Sequence, residues 1–301
     1  MAYANGTATN YLDLLDRLRL FASTNATLVG LGQQWSVERW TGGNELIMRG
    51  PGLTGTEAIR AGLRGYFDTP SDYFNLEARG MHGFLVGSGF DAQPGASRPC
   101  FLPLWNSSIP YWFVGNGQRL IAVAKVSTVY EVLYLGKVIP YGQPAHYPAP
   151  ILIAAGTGIQ ATRWSSTDDR HSNLTRPRTS GSNLSCGVFN GAGNTWLDYS
   201  CESNTAVSVY PWPYSWHSNY PSTERMEYID VNPDGSYTLE PIRLIQEASG
   251  VNLLGELDGV AFVTGQGNAA ENTVTIGADT WLVVPNVFRS TRDAYCAVRL
   301  V

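Results

Sequence analysis

The C-terminal stretch from Gly255 to Val301 alternates short apolar runs with turn-forming residues. Val260–Thr264, Thr273–Ile276 and Trp281–Val284 are each closed by Gly, Asn, Asp or Pro, which is typical of strands joined by tight turns. Ala294–Val301 then alternates apolar and polar residues to the last position. The pattern predicts a C-terminal strand that ties this end of the chain into a sheet.

An amphipathic helix is predicted near the other end of the chain. The apolar residues that share its buried face are Tyr11, Leu14, Leu15, Leu18 and Phe21. Thr9 or Asn10 can cap its first turn, and Asp13 lies beside the positive end of the helix dipole. Ser23–Asn25 can end it.

Strand-like patterns follow the helix. The predicted elements are a hairpin of Gln34–Trp40 and Glu45–Arg49 around Thr41–Asn44, a strand over Thr56–Asp68, further strand pattern over Asp72–Phe84, and a loop over Gly87–Pro103. The segment Thr56–Asp68 also fits a helix, because Ala and Leu favour helices. The strand is favoured because Gly62 and Gly65 disfavour a helix interior.

The longest apolar run is Tyr111–Gly136. Asn116-Gly117 within it is a strong hairpin signal. The β-branched and aromatic segments Leu120–Val126 and Thr128–Leu135 are therefore predicted to be central strands of a mostly antiparallel sheet. Several prolines follow, and Ile151–Ala154 is predicted to be a short edge strand.

The segment Trp164–Asn219 differs in character, because Ser, Thr, Asn and Gly dominate it. It is predicted to be an irregular insertion that projects from the core. After the insertion, the sequence again predicts regular elements, with a turn at Asn232–Gly235 and a strand at Ser236–Leu244. The expected fold is β-rich α+β, mainly an antiparallel sheet with an N-terminal helix, divided as 1–155 (core), 156–225 (insertion) and 226–301 (C-terminal strands).

Composition narrows the function classes. Charged residues make up only 15% of the chain, against about 25% in an average domain. The net charge of −5 and the scattered Lys and Arg argue against nucleic-acid recognition. Neither a signal peptide nor a membrane span is evident, which predicts a soluble product of a cytoplasm. Few charges with many Tyr and Trp favour an oligomer interface, and a secreted β-protein is the alternative.

Neither a catalytic residue, a metal site nor a cofactor site is predicted. The chain has no GxSxG, no CxxC and no carboxylate pair with distinctive spacing, and its four histidines are solitary. Cys186 and Cys201 flank a loop-like stretch and can form a disulfide in an oxidising medium. The alternative is that all four cysteines are ordinary buried thiols.

Aromatic residues are the remaining candidates for binding. Trp212, Tyr214 and Trp216 alternate, so an extended backbone would place them on one face, where they can contact another subunit, another protein or a glycan. Five other aromatic residues are predicted to be core or interface anchors: Trp105, Tyr111, Trp112, Trp281 and Phe288.

Three segments together resemble a structural protein of tailed bacteriophages. They are RGPGLTGTEAIRAGLRGYFDTPSDYFNLEARGMHGF (Arg49–Phe84), PLWNSSIPYWFVGNGQRLIAVAKVSTVYEVLYLGKVIPYG (Pro103–Gly142) and GELDGVAFVTGQGNAAENTVTIGADTWLVVPNVFRSTRDAYCAVRL (Gly255–Leu300). The similarity covers most of Met1–Ile153 and Tyr228–Val301. More weakly, the helix LDLLDRLRLFAST resembles the start of tail terminator proteins, in which a helix precedes a small α+β sheet that closes a sixfold ring.

The resemblance implies a non-enzymatic virion protein of the tail or neck, synthesised in the bacterial cytoplasm. Its expected partners are further copies of itself in a sixfold ring and other phage tail or neck proteins. The alternative is a distal tail or baseplate adhesion protein that binds host surface glycan through Trp212, Tyr214 and Trp216. A polysaccharide-cleaving enzyme is a third and weaker hypothesis.

Overall fold

A computed structural model describes ten parts of the chain. They are residues 1–42, 44–142, 150–165, 174, 186–189, 195–200, 207–210, 232–246, 252–287 and 295–301. Strands dominate these parts and both α-helices lie in the N-terminal region, which confirms the predicted β-rich α+β class. Among the described strands every pairing is antiparallel except one.

The N-terminal region forms a strand and two helices: β1 (Ala2–Ala8), α1 (Tyr11–Thr24) and α2 (Ala26–Gly30). The predicted cap of α1 is confirmed, since the Asn10 side chain accepts hydrogen bonds from the backbone N–H groups of Leu12 and Asp13, each at 2.9 Å. Asp13 in turn accepts from the Thr9 N–H at 2.7 Å. The Asn10 hydrogen bonds satisfy two first-turn amides that an uncapped helix would leave without partners, and the Asp13 bond ties the residue before the cap to the first turn.

The remaining strands fall into two sheets. Their bounds are β2 (Ser36–Trp40), β3 (Glu45–Gly50), β4 (Ile59–Asp68), β5 (Tyr73–Met81), β6 (Cys100–Leu102), β7 (Ile109–Gly115), β8 (Arg119–Val126), β9 (Val129–Lys137), β10 (Ile139–Pro140), β11 (Ile151–Ala154), β12 (Cys186–Phe189), β13 (Trp196–Ser200), β14 (Val207–Tyr210), β15 (Glu240–Gln246), β16 (Asn252–Phe262), β17 (Thr273–Ile276), β18 (Asp279–Pro285) and β19 (Tyr295–Arg299). A 14-stranded sheet has the order β1-β7-β8-β9-β11-β12-β13-β14-β15-β16-β19-β18-β17, with β10 beside β16. A five-stranded sheet has the order β2-β3-β4-β5-β6.

Strands β7, β8 and β9 form a central layer that is buried on both faces. Alternate residues such as Phe113, Ala122 and Leu133 share a hydrophobic core with α1 and the five-stranded sheet. The residues between them, such as Val123 and Val132, share a second core with the C-terminal strands β15, β16, β18 and β19. Burial on both faces explains why Tyr111–Gly136 has the longest apolar run in the chain, without polar alternation.

A buried ion pair joins the central layer to β16. The Arg119 side chain is fully buried, and its Nε lies 3.2 Å from Asp258 Oδ2. The same oxygen accepts hydrogen bonds from Asn116 Nδ2 at 2.8 Å and Gln118 Nε2 at 2.9 Å. Gly259 has φ +75°, and a Cβ there would lie 2.5 Å from Arg119 Nη2, so glycine is required for both conformation and space.

Most of the predicted elements are confirmed, including the hairpin at Asn116-Gly117 and the C-terminal strands. The prediction that Ile151–Ala154 is an edge strand is wrong, because it pairs with β9 on one side and β12 on the other. The predicted loop Gly87–Pro103 contains β6 and a short 3₁₀ helix at Phe90–Ala92. Within the predicted insertion, β12, β13 and β14 continue the large sheet.

Candidate subunit interface

The large sheet is open at both ends. Among the strands that the structure describes, β1 pairs only with β7 and β17 pairs only with β18. The residues at the middle of β1, Asn5, Gly6 and Thr7, are exposed, as is most of β17. Each edge therefore presents backbone donors and acceptors that another strand can bind.

The edges of the five-stranded sheet are protected. Strand β2 carries Glu38 and Arg39, which form ion pairs with Arg60 and Glu45, and its register with β3 is irregular between Val37 and Arg39. Strand β6 is short, and Phe101 exchanges two backbone hydrogen bonds with Thr157 at 2.7 and 3.0 Å. Charges, irregular register and short length all discourage pairing at an edge. By contrast, β1 and β17 contain no charged residue.

An apolar groove of about 310 Å³ runs between α1 and strands β1 and β7. Its lining includes Arg17, Leu20 and Phe21 from α1, Ala4 from β1, and Tyr111 and Phe113 from β7. The Tyr111 and Phe113 rings stack with centroids 4.2 Å apart, which fixes the floor of the groove.

The guanidinium of Arg17 is the charged group among the lining residues of this groove. Its Nε lies 2.9 Å from Asp13 Oδ2, and this hydrogen bond raises the pKa of Arg17 above its ordinary value. The groove therefore offers apolar contact area beside one permanently charged donor that is already paired. It is suited to an apolar side chain rather than to an anion.

Further apolar side chains are exposed on the helical side of the molecule. Leu20 on α1 is 41% exposed, Val29 on α2 is 49% exposed, and Leu31 after α2 is 54% exposed. Leu20 also lines the groove. An apolar surface on the same helices as a groove is typical of a protein contact.

A second exposed apolar feature is the tip formed by Leu85 and Val86, which are 55% and 83% exposed. Arg39 donates from Nη2 to the carbonyl oxygens of Leu85, Val86 and Ser88, at 3.2, 2.9 and 2.7 Å. Buried Gln93 also binds this loop, donating to Leu85 O at 3.1 Å and accepting from Leu85 N at 2.9 Å. The apolar tip is therefore held in one conformation.

Four of the five predicted aromatic anchors lie in the described residues, and they occupy different places. Tyr111 is buried in the first core and forms the groove floor. Trp105 and Trp164 pack edge to face at 5.3 Å, and Trp112 packs against the second core. Trp281 packs against a smaller cluster of Val263, Val283 and Ala297. Phe288 lies outside the described residues.

The structure does not describe the side chains of the other predicted site residues. Trp212, Tyr214, Trp216 and Cys201 lie outside the described residues, and for Cys186 the structure describes only its place in β12. The predicted disulfide and the predicted glycan contact therefore stay predictions. The two cysteines with described side chains, Cys100 and Cys296, are buried free thiols.

Reactive chemistry is not apparent in the described residues. Burial raises the pKa of Cys296 to about 12 and raises that of Cys100 further, so both thiols stay protonated and unreactive. In the parts of the chain with described side chains, there is no group of three or more His, Cys, Asp or Glu residues placed to hold a metal ion.

Comparison with known proteins leaves the family open. The chain matches no protein-family model, and it matches no curated protein. Within the described residues, neither helix has both the length and the apolar character needed to cross a membrane.

The free edge at β1 is the interface feature that the sequence prediction missed. The sequence analysis predicts no element over Ala2–Ala8, because Asn5, Gly6 and Thr7 interrupt any apolar pattern. The absence of charged residues from all seven positions of this segment could have indicated the free edge, because charged residues are a common protection of edge strands.

Proposed function

We propose that the protein is a structural component of a tailed bacteriophage particle, in which several copies form a ring in the tail or neck. The observation that carries this proposal is that, among the described strands, one sheet ends in two different free edges, β1 and β17. The resemblance of three long segments to phage virion proteins supplies the phage context.

A ring requires two different contact surfaces on each subunit, because a heterologous contact joins one surface to the other on the next copy. Strand β1, with its neighbouring groove, supplies one distinct surface, and β17 at the far end of the sheet supplies another. The low charge of the chain supports this use, since charged residues are depleted at the core of protein interfaces.

The mechanism is assembly rather than chemistry. Backbone groups at the sheet edges would exchange water for strand partners, and apolar side chains near the groove would be removed from water. Exposed Leu20, Val29 and Leu31 are available for such burial. About 1,200–2,000 Å² of total buried surface is usual for a stable contact between two subunits.

The proposal is tested on intact particles. Particles of the phage that encodes the chain are purified by density gradient, and their proteins are identified and counted by mass spectrometry. We expect the chain to be present in multiple copies. Gold-labelled antibody imaged on the same particles should then bind at the tail or neck. A major tail protein serves as the positive control, and an abundant non-virion host protein measures contamination.

Absence of the chain from particles in which the tail proteins are fully recovered would overturn the proposal. Label at the distal tip together with specific glycan binding would favour the adhesion hypothesis instead. In that case Trp212, Tyr214 and Trp216 would be the first residues to replace.

A further inference from the structure

We propose that β17 of one copy pairs with β1 of the next, so that the large sheet continues from subunit to subunit. This inference deepens the proposed function and rests on it for the ring arrangement. The ring proposal assigns the two edges as contact surfaces; this inference adds that the two strands pair directly, with a second copy of this chain on each free edge.

The first argument is the state of the two edges. β1 is a seven-residue strand and β17 a four-residue strand, and each has a described partner on one side only. On an edge strand, every second residue directs its N–H and C=O away from the existing partner. In β1 these groups lie along an exposed stretch, Asn5–Thr7, where a second strand has access.

The second argument is the contrast within one molecule. The five-stranded sheet protects its edges with Glu38 and Arg39 in β2 and with the Thr157 bridge beside Phe101 in β6. In the described residues, β1 and β17 carry neither charged side chains nor a backbone bridge on the outer side, and β1 is also longer than β6, with seven residues against three; β17 has four. A sheet edge left unprotected where another edge is protected is suited to a strand partner.

The third argument concerns which edge meets which. Ile276 in β17 is 44% exposed, whereas the exposed residues of β1 are small or polar and directly follow Ala4, the β1 residue that lines the apolar groove. Pairing β17 with β1 brings the apolar side chain of one edge towards the groove of the other. Pairing β1 with a second β1 would bring together two edges that expose Asn5, Gly6 and Thr7. The heterologous pairing therefore buries more apolar surface than a β1–β1 pairing, and it leaves one edge of each copy open for the next subunit, as a ring requires.

The test blocks each edge with a single charge. Thr7→Lys is placed on β1, Thr275→Lys on β17, and Ser36→Lys on the protected edge β2 as the matched control; all three positions are exposed. Oligomeric state is measured on the full chain by sedimentation velocity over a range of protein concentrations. We expect the unchanged chain and Ser36→Lys to assemble alike, and each edge variant to weaken self-association by about tenfold or more.

Mixing the two edge variants identifies the pairing. Thr7→Lys retains an intact β17 and Thr275→Lys retains an intact β1, so an equimolar mixture should form dimers with one copy of each and nothing larger. If Thr275→Lys alone still dimerises and the mixture forms no mixed dimer, the contact is β1 with β1 and the inference is wrong. An unchanged chain that stays monomeric at all concentrations would also overturn it.

Folding of each variant is checked by circular dichroism and thermal unfolding. If a variant unfolds, Asn5→Lys replaces Thr7→Lys, and Thr273→Lys replaces Thr275→Lys, since both positions are exposed on the same strands. Failure here is separable from failure of the proposed function. A chain found in particles whose edge variants assemble normally overturns the strand pairing alone, whereas a chain absent from particles overturns the virion role.

Discussion

At the scale of single residues, the charge of Arg119 depends on one carboxylate. Its side chain is fully buried, neither Nε nor Nη1 makes a hydrogen bond of good geometry, and Nη2 donates to Met1 Sδ at 2.9 Å, so the ion pair between Nε and Asp258 supplies the counter-charge. Burying a charge is costly unless an opposite charge lies beside it. The Asn116 and Gln118 amides also converge on Asp258, so this carboxylate holds the end of the β7–β8 hairpin against β16.

Asp258→Asn should lower the free energy of unfolding by about 3–5 kcal/mol, because it leaves the Arg119 guanidinium buried without a counter-charge. Urea unfolding at pH 7 measures the change. Asp234→Asn is the matched control, since Asp234 lies in an exposed turn and should tolerate the same substitution with little effect. Equal effects of the two substitutions would show that the ion pair does not stabilise the fold.

The contribution of the Arg119–Asp258 pair to the free energy of unfolding should depend on pH. Burial acts to raise the pKa of Asp258, but the Arg119 charge and the two amide hydrogen bonds outweigh it, so the pKa lies below the ordinary value of 3.8. The stabilisation is therefore complete above pH 3.8 and is lost as pH falls through the lower pKa of the folded state. The stability difference between the unchanged chain and Asp258→Asn should shrink over that range. A difference that does not change with acidification would contradict this assignment.

Sequence reasoning located the turn at Asn116-Gly117 but not its surroundings. The turn is buried rather than exposed, since Trp35 Nε1 donates to Asn116 O and Gly52 N donates to Gly117 O, each at 2.8 Å. These contacts join residues that are distant in the chain, and no local periodicity reports them. For the same reason Arg119 and Asp258 were not recognised as a pair.

At the scale of elements, local signals predicted α1 and the central hairpins well. The cap at Asn10 and the apolar runs bounded by glycine depend only on residues close together in the sequence, and the folded chain contains the elements that they predict. The prediction for Ile151–Ala154 was wrong because its second partner, β12, lies in a segment whose Ser- and Asn-rich composition disfavours strands. Strand pairing across such a distance is set by tertiary contacts.

Strand β13 contacts the five-stranded sheet and its β5–β6 connection mainly through Trp196, beside an ion pair of Asp198 with Arg98 at 3.6 Å. Trp196 donates from Nε1 to Gly95 O at 2.8 Å, and its ring lies where a Cβ on Gly80 would be 2.0 Å away. The His82 ring stacks on it at 6.0 Å. The absence of a side chain at Gly80 is therefore what allows β13 to dock against β5.

Gly80→Ala should lower the free energy of unfolding by about 1–3 kcal/mol, because the Trp196 ring must shift to admit the methyl group. Urea unfolding followed by tryptophan fluorescence measures the effect. Gly87→Ala is the control, since a Cβ there meets nothing within 4 Å. Adding Gly80→Ala to a Trp196→Ala background should have a smaller effect than in the unchanged chain. Simple additivity would show that the ring is not the obstacle.

At the scale of the whole molecule, the central layer makes the two cores interdependent. Val132 and Leu133 are neighbours in β9, yet Val132 belongs to the core shared with the C-terminal strands and Leu133 to the core shared with α1. Because β7–β9 contribute side chains to both cores, unfolding of either core would disrupt the layer on which the other core depends. We therefore expect a single cooperative transition.

Val132→Ala should lower the free energy of unfolding by about 1.5–3 kcal/mol and Leu133→Ala by about 2–5 kcal/mol. Both substitutions should shift the same transition, seen at one midpoint by far-UV and near-UV circular dichroism. Val86→Ala is the control, because that side chain is 83% exposed. Two separate transitions, each sensitive to one substitution, would show that the cores unfold independently.

The candidate interface could not be predicted from local sequence because an open edge is a property of the complete strand order. Size and apolar character predict a core position and an interface position equally well. The anchors predicted on those grounds include Trp105, Tyr111, Trp112 and Trp281. Tyr111 does both, since it is buried and also forms the groove floor. The exposed residues of β1 are small and polar, and no aromatic signal points to them.

The central layer also has a consequence for synthesis on the ribosome. Strands β7–β9 emerge with two apolar faces, and the N-terminal elements that cover the first face have already been made. The second face, with Ile121 and Val123, is covered by β15, β16, β18 and β19, which are translated much later. We therefore expect the incomplete chain to require a chaperone, or transient cover of this face by its own still unfolded segments, until the last strands have been synthesised.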